Sequence, residues 1–315
     1  MKAVILDGDT LGRDIDLTPI RSLVDELSLW PLTSPSEVMT RLEGASIAVT
    51  NKVVIDDAIM ASLPELKMIA VTATGTNNID LKSAERRGIQ IANVKGYGTE
   101  SVAQHTLMLM LSLAGRLPLY QKDLKAGRWE KAPFFCLLDY PLLQLAGKKL
   151  VIVGRGELGR AVATLAEAFG MKVYFSARPG IDGDDARAPL AELLPQADVV
   201  SLHCPLTEDT HHLIDRAALS QMKSGALLIN CGRGSLIDES AALEALEARH
   251  LGGLGVDVLP IEPPRDGHPL LDALSNASLN LIVTPHNAWA SLEARQRVVD
   301  MTADNVRRFL DSQRR

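Results

Sequence analysis

At 315 residues the chain exceeds what one hydrophobic core serves, roughly 250–300 residues, so two domains are expected. With 46% hydrophobic and 23% charged residues it has a globular composition, and a net charge of −6 disfavours nucleic acid or an anionic membrane as partner, because both select a cationic surface. Cys136, Cys204 and Cys231 are widely spaced and indicate neither a disulfide framework nor a metal site, while the early Asp7 and the short apolar run 107–114 argue against a secretory segment or a membrane span. A cytoplasmic location is expected.

Short apolar, β-branched runs at 3–7, 46–50 and 68–72 open the chain, with a helical pattern at 56–63. A long helix is expected at 99–117. Val102, Thr106, Leu109, Met110 and Leu113 form one face of it, and Leu107, Met108 and Leu111 a second. A helix apolar nearly all round is normally buried on all sides, either as a central core helix or as one shared with a second subunit in a homodimer. Strands follow at 149–153, 172–175, 198–203, 226–230, 253–256 and 281–283, with helices at 158–169, 239–249 and 291–310. Such alternation predicts parallel sheets covered by helices on both faces.

The strand at 149–153 runs into Gly154-Arg-Gly156-Glu157-Leu158-Gly159 and then a helix. In that context the three glycines read as a dinucleotide loop. The first allows the tight turn, the second admits the pyrophosphate to the backbone, and the third lets helix and strand pack closely. The phosphates then lie at a helix N-terminus, among the first amides at Glu157 and Leu158. The loop begins 150 residues in, so a separate domain is expected upstream. A carboxylate about 20 residues further on usually holds the adenosine ribose. Here the second strand ends in Ser176-Ala177-Arg178, and a guanidinium at Arg178 suits a 2′-phosphate. NADP(H) is therefore favoured slightly over NAD(H), although Asp182, Asp184 or Asp185 could still fold back to a ribose.

Three later strands end in chemically useful residues: Arg233 after 226–230, Asp257 and Glu262 after 253–256, and His286 after 281–283. In doubly wound sheets ligands bind beyond the carboxyl ends of the strands. An imidazole, with an ordinary pKa of about 6.5, can exchange the proton of a secondary alcohol, a carboxylate can hold it, and a guanidinium can bind a substrate carboxylate. His211 and His212 are adjacent and cannot share a face, so no metal site is expected. His105 and His203 are expected to be structural.

Together these segments resemble the D-isomer-specific 2-hydroxyacid dehydrogenases over nearly the full length. The motifs are Gly154-x-Gly156-x-x-Gly159, His203-Cys-Pro-Leu-Thr207, Asn230-Cys-Gly-Arg233-Gly234, Asp257 with Glu262-Pro263, and Thr284-Pro-His286. Within the family the chain is most similar to the glycerate dehydrogenase/hydroxypyruvate reductase branch, through Ala73-Thr-Gly-Thr-Asn-Asn78 and His286-Asn-Ala-Trp289 among other runs. The resemblance implies an α/β fold of two doubly wound parallel-sheet domains, flavodoxin-like and Rossmann, with a cleft between them. The substrate-binding domain would comprise 1–98 and 288–315, and the dinucleotide-binding domain 99–287. It implies hydride transfer between NAD(P)H and a small 2-keto acid, with Arg233, Glu262 and His286 catalytic and the amides of Thr74 and Gly75 sharing the substrate carboxylate with Arg233 and His286. Cys204, Pro205, Cys231, Gly232 and Asp257 would line the cofactor site, and in related dimers Phe134 or Phe135 would reach a neighbouring active site. A phosphoglycerate-type or other 2-keto acid reductase, and a non-enzymatic NAD(H)-sensing corepressor-like protein, are the alternatives.

Overall fold

The computed structural model describes residues 1–177 and 185–314. The chain forms two compact units, Met1–Gly98 with Ala290–Arg315, and Thr99–Trp289. The first contains β1 (Lys2–Ile5), α1 (Thr18–Arg21), β2 (Glu26–Leu29), α2 (Val38–Leu42), β3 (Ile47–Thr50), α3 (Asp57–Ala61), β4 (Met68–Val71), α4 (Leu81–Arg87) and β5 (Gln90–Asn93). Its strands pair in parallel in the order β2-β1-β3-β4-β5, a doubly wound sheet. Alternate residues of β1 enter different cores, Val4 on one face and Ala3 and Ile5 on the other, because both faces are covered. The central strands therefore read as continuous apolar runs. The edge strands β2 and β5 are partly exposed and carry Glu26, Ser28, Gln90 and Asn93, which is why apolar patterning predicts neither of them.

The second unit contains α5 (Thr99–Ala114), α6 (Leu117–Lys125), β6 (Lys149–Val153), α7 (Glu157–Ala168), β7 (Lys172–Phe175), α8 (Leu190–Leu193), β8 (Val199–Leu202), α9 (Arg216–Gln221), β9 (Leu227–Asn230), α10 (Glu239–Glu247), β10 (Gly253–Val256), α11 (Pro269–Ala273) and β11 (Leu281–Val283). Its six strands are parallel in the order β11-β10-β9-β8-β6-β7, so the winding reverses between β6 and β8. The last helix, α12 (Leu292–Gln313), belongs to the first unit. Ser291 caps it by accepting from Ala294 N, and Val306 and Phe309 are buried against Ala3, Ile5, Ile47 and Val49.

Helix α5 differs from the expectation at its end. It stops at Ala114, because Arg116 takes a left-handed φ of 52° and α6 begins at Leu117 with Pro118 in its first turn. Its inner face, Ala103, Thr106, Leu109, Met110 and Leu113, is buried, while Met108 and Leu111 on the second face are 43% and 39% exposed. Glycines on β10 permit the close approach. A Cβ at Gly255 would lie 3.1 Å from Leu113 and 3.4 Å from Leu109. Among the described residues no helix is long and apolar enough to cross a membrane.

Candidate active site

The buried strand β6 delivers the glycine loop to the point where the sheet reverses direction. Gly154 has φ +108°, and a Cβ there would fall 2.4 Å from the His203 carbonyl oxygen. At Gly159 a Cβ would sit 2.0 Å from the Gly154 oxygen, whereas Gly156 faces open space, with nothing within 4 Å. Among the described residues no side chain caps the N-terminus of α7, so its first amides are available to an anion. This cradle fits the pyrophosphate of a nicotinamide dinucleotide: closed on two sides by backbone and open on the third. Leu158 packs partly into the core below it, and Glu157 accepts from Thr99 Oγ1 at 2.9 Å.

Around the loop, Ser176 follows β7 and is fully buried, with no partner for its hydroxyl among the described residues. His203 follows β8. Its Nε2 lies 2.8 Å from Ser201 Oγ, its Nδ1 is buried without a partner among the described residues, and burial pushes its pKa down to about 4. Arg178, Asp182 and Asp184 lie outside the described residues. Asp185 pairs with Arg187, accepting from its Nε at 2.7 Å. Burial raises the thiol pKa of Cys204 to about 11 and of Cys231 to about 12, so both are neutral and unreactive near neutral pH. Pro205 is exposed and accepts Thr210 Oγ1 through its carbonyl at 2.8 Å.

The ends of β9, β10 and β11 lie side by side. After β9, the buried Asn230 braces the turn from both sides: Oδ1 accepts Gly232 N at 3.0 Å, and Nδ2 donates to Arg233 O at 2.9 Å. Arg233 is exposed, with Nη1 donating to Gly232 O at 2.7 Å. A Cβ at Gly234 would fall 2.1 Å from the Leu259 carbonyl carbon, so the arginine turn is pressed against the loop that carries Glu262.

Glu262 and His286 meet. Glu262 Oε2 accepts from His286 Nδ1 at 2.5 Å, and its Oε1 accepts from Leu259 N at 2.8 Å. The second bond fixes the carboxylate, and the first fixes the imidazole with Nε2 as its remaining nitrogen. His286 has a left-handed φ of 52°, a conformation most side chains avoid. Asp257 holds that turn. Its backbone oxygen accepts His286 N at 2.8 Å, and its buried carboxylate accepts Thr284 Oγ1 at 2.6 Å, Asn287 N at 3.1 Å and Ala288 N at 3.0 Å.

Thr74 and Gly75 lie in the first unit, exposed in the loop after β4. Among the described residues neither backbone N–H has an acceptor, and Asn93 Nδ2 donates to Thr74 O at 2.6 Å. Sequence reasoning includes Asn230 and Thr284 in motifs without giving either a role, and it passes over Glu239. Glu239, at the start of α10, accepts from His268 Nε2 at 2.7 Å. Burial, reinforced by Asp238 and Glu262, pushes its pKa up to about 8. The signal for Asn230 and Thr284 was their place at strand ends beside Arg233 and His286. Glu239 sits on a helix and carries no such mark.

A doubly wound sheet with a dinucleotide cradle where it reverses, and a carboxylate-held imidazole at neighbouring strand ends, defines a nicotinamide-dependent dehydrogenase. Residues 107–288 match the family model for the NAD binding domain of D-isomer specific 2-hydroxyacid dehydrogenases. The chain is 42% identical over 311 residues to a glycerate dehydrogenase of Methylorubrum extorquens, covering 98% of this chain and 96% of that one. It is 36% identical over 317 residues to a hydroxypyruvate reductase of Blautia hydrogenotrophica, covering 98% and 97%. A crystal structure of the TT0316 protein from Thermus thermophilus superposes with a TM-score of 0.82 at 35% identity, over 99% of this chain and 97% of that one. The chain belongs to the D-isomer specific 2-hydroxyacid dehydrogenase family. It is an oxidoreductase that uses a nicotinamide cofactor on a small 2-hydroxy or 2-keto acid.

Proposed function

We propose that the enzyme reduces hydroxypyruvate, and glyoxylate beside it, with Arg233, Glu262 and His286 as its catalytic set. The observation that carries the acid–base assignment is the 2.5 Å contact between His286 Nδ1 and Glu262 Oε2, which leaves Nε2 to exchange a proton with substrate. The names of the relatives support the substrate class. A nicotinamide dinucleotide held on the Gly154–Gly159 cradle would supply the hydride for C2 of the keto acid. His286 Nε2 gives its proton to the carbonyl oxygen, completing the hydroxyl, and Glu262 stabilises the imidazolium beforehand. Arg233 binds the substrate carboxylate and opposes the negative charge that develops on the carbonyl oxygen. In oxidation the same imidazole, neutral at Nε2, accepts the hydroxyl proton.

The second unit serves as the dinucleotide-binding domain, with the pyrophosphate on Gly154 to Gly159. The first serves as the substrate-binding domain, and Thr74 and Gly75 offer their unengaged amides to a carboxylate. Ser176-Ala177-Arg178, without an acidic residue, favours NADP(H) over NAD(H). Three free cysteines suit a reducing cytoplasm. The test is reductase kinetics on hydroxypyruvate, glyoxylate, pyruvate and phenylpyruvate, each with NADH and NADPH. The highest kcat/KM is expected on hydroxypyruvate with NADPH. Preference for phenylpyruvate would overturn the substrate assignment, and a strong NADH preference the cofactor assignment.

A further inference from the structure

Helix α5 reaches two of the loops that carry the candidate site. Thr99 Oγ1 donates to Glu157 at the start of α7. Ser101 Oγ donates to Ala288 O at 2.6 Å, and His105 Nε2 lies 2.9 Å from Thr284 Oγ1. Ser101 and His105 are four residues apart and share one helix face. The 2.6 Å bond to Asp257 uses the single hydroxyl proton of Thr284. His105 Nε2 must therefore be the donor to Thr284, giving the relay Nε2–H to Oγ1–H to Asp257. Burial, the larger influence, lowers the His105 pKa against the opposing pull of Asp257.

We propose that Ser101 and His105 are positioning residues for His286, clamping the 284–288 turn onto α5 through Thr284, Asp257 and the Ala288 carbonyl. A left-handed residue persists only where its surroundings over-determine it. Asp257 supplies that restraint through four hydrogen bonds, and α5 anchors Asp257 and the far end of the turn. The inference rests on His286 as the acid–base residue.

The experiment compares His105→Leu, His105→Gln, Thr284→Val and the His105→Leu/Thr284→Val double variant, with His286→Asn as control. For each, kcat, KM for the keto acid, dinucleotide Kd and Tm are measured. His105→Leu is expected to lower kcat roughly 10- to 100-fold with KM and dinucleotide Kd within about twofold, the pattern of a displaced catalytic group. His105→Gln restores a side-chain N–H and should recover most of that loss. The double variant should be no slower than the slower single, because both changes cut one relay. Wild-type kcat in His105→Leu overturns the clamp. So does an equal loss in the Leu and Gln variants that adds to that of Thr284→Val, since packing alone would produce it. An active His286→Asn would instead overturn the acid–base reading on which the clamp depends.

Discussion

His286 combines a disfavoured backbone with a defined side chain: φ is +52°, and its Nδ1 is held by Glu262. The functional consequence lies in which nitrogen is left. Glu262→Gln keeps an oxygen for that hydrogen bond but removes the negative charge beside the ring, so kcat for reduction should fall roughly 10- to 100-fold with KM within about twofold. Wild-type kcat in the variant would refute the coupling. Glu239 makes a pH signature. Its pKa is raised to about 8, so between about 4.5 and 8 the folded group holds a proton that the unfolded one has released, and stability falls as pH rises across that window. Glu239→Gln should therefore raise Tm relative to wild type more at pH 8 than at pH 5. Thermal scans of both proteins at the two pH values check it. Arg233, Glu262 and His286 were legible because each follows a strong apolar run. Glu239 was not, since an acidic residue opening a helix is ordinary by sequence, and only folding buries it beside Glu262.

Among elements, the glycine loop separates two roles that one motif conflates. Gly159→Ala would set a Cβ 2.0 Å from the Gly154 oxygen, and backbone cannot move aside cheaply. A large fall in Tm is expected. Gly156→Ala meets open space, so Tm should hold within a degree or so, while dinucleotide binding weakens roughly tenfold, about 1.4 kcal/mol, as the added methyl occupies the cradle. Equal effects of the two substitutions on Tm, measured beside cofactor titrations, would refute the division. Helix α5 shows the same dependence on small residues. Its approach to the sheet relies on Gly255, and its length is cut by the left-handed Arg116 and by Pro118. Periodicity registered the apolar residues of this helix but carried the pattern past the break. The edge strands β2 and β5 escaped detection for the opposite reason: partial exposure lets polar residues interrupt the pattern.

For the whole molecule, the exposed apolar side chains point to association. Met108 and Leu111 are exposed on α5, and Phe134, Phe135 and Leu138 are 53%, 86% and 74% exposed. We propose a homodimer that covers α5, since exposed apolar groups gathered on one helix face commonly mark an interface. Sedimentation should give twice the 34.0 kDa of the chain, and Leu111→Glu should shift the population towards monomer. A monomeric wild type at micromolar concentration would refute this.

The sequence by itself determined the fold class, the dinucleotide loop and the identity of the groups at the strand ends. Buried parallel strands must be apolar runs, and each run announces the residue that follows it. Only the tertiary structure decided which of those groups meet. Glu262 and His286 are 24 residues apart in the chain, and the pairing of β10 with β11 brings them together. It also decided the partners of His105 and Thr284, 179 residues apart, and the raised pKa of Glu239. Hydrogen bonds and desolvation depend on distance and burial, which sequence spacing does not contain.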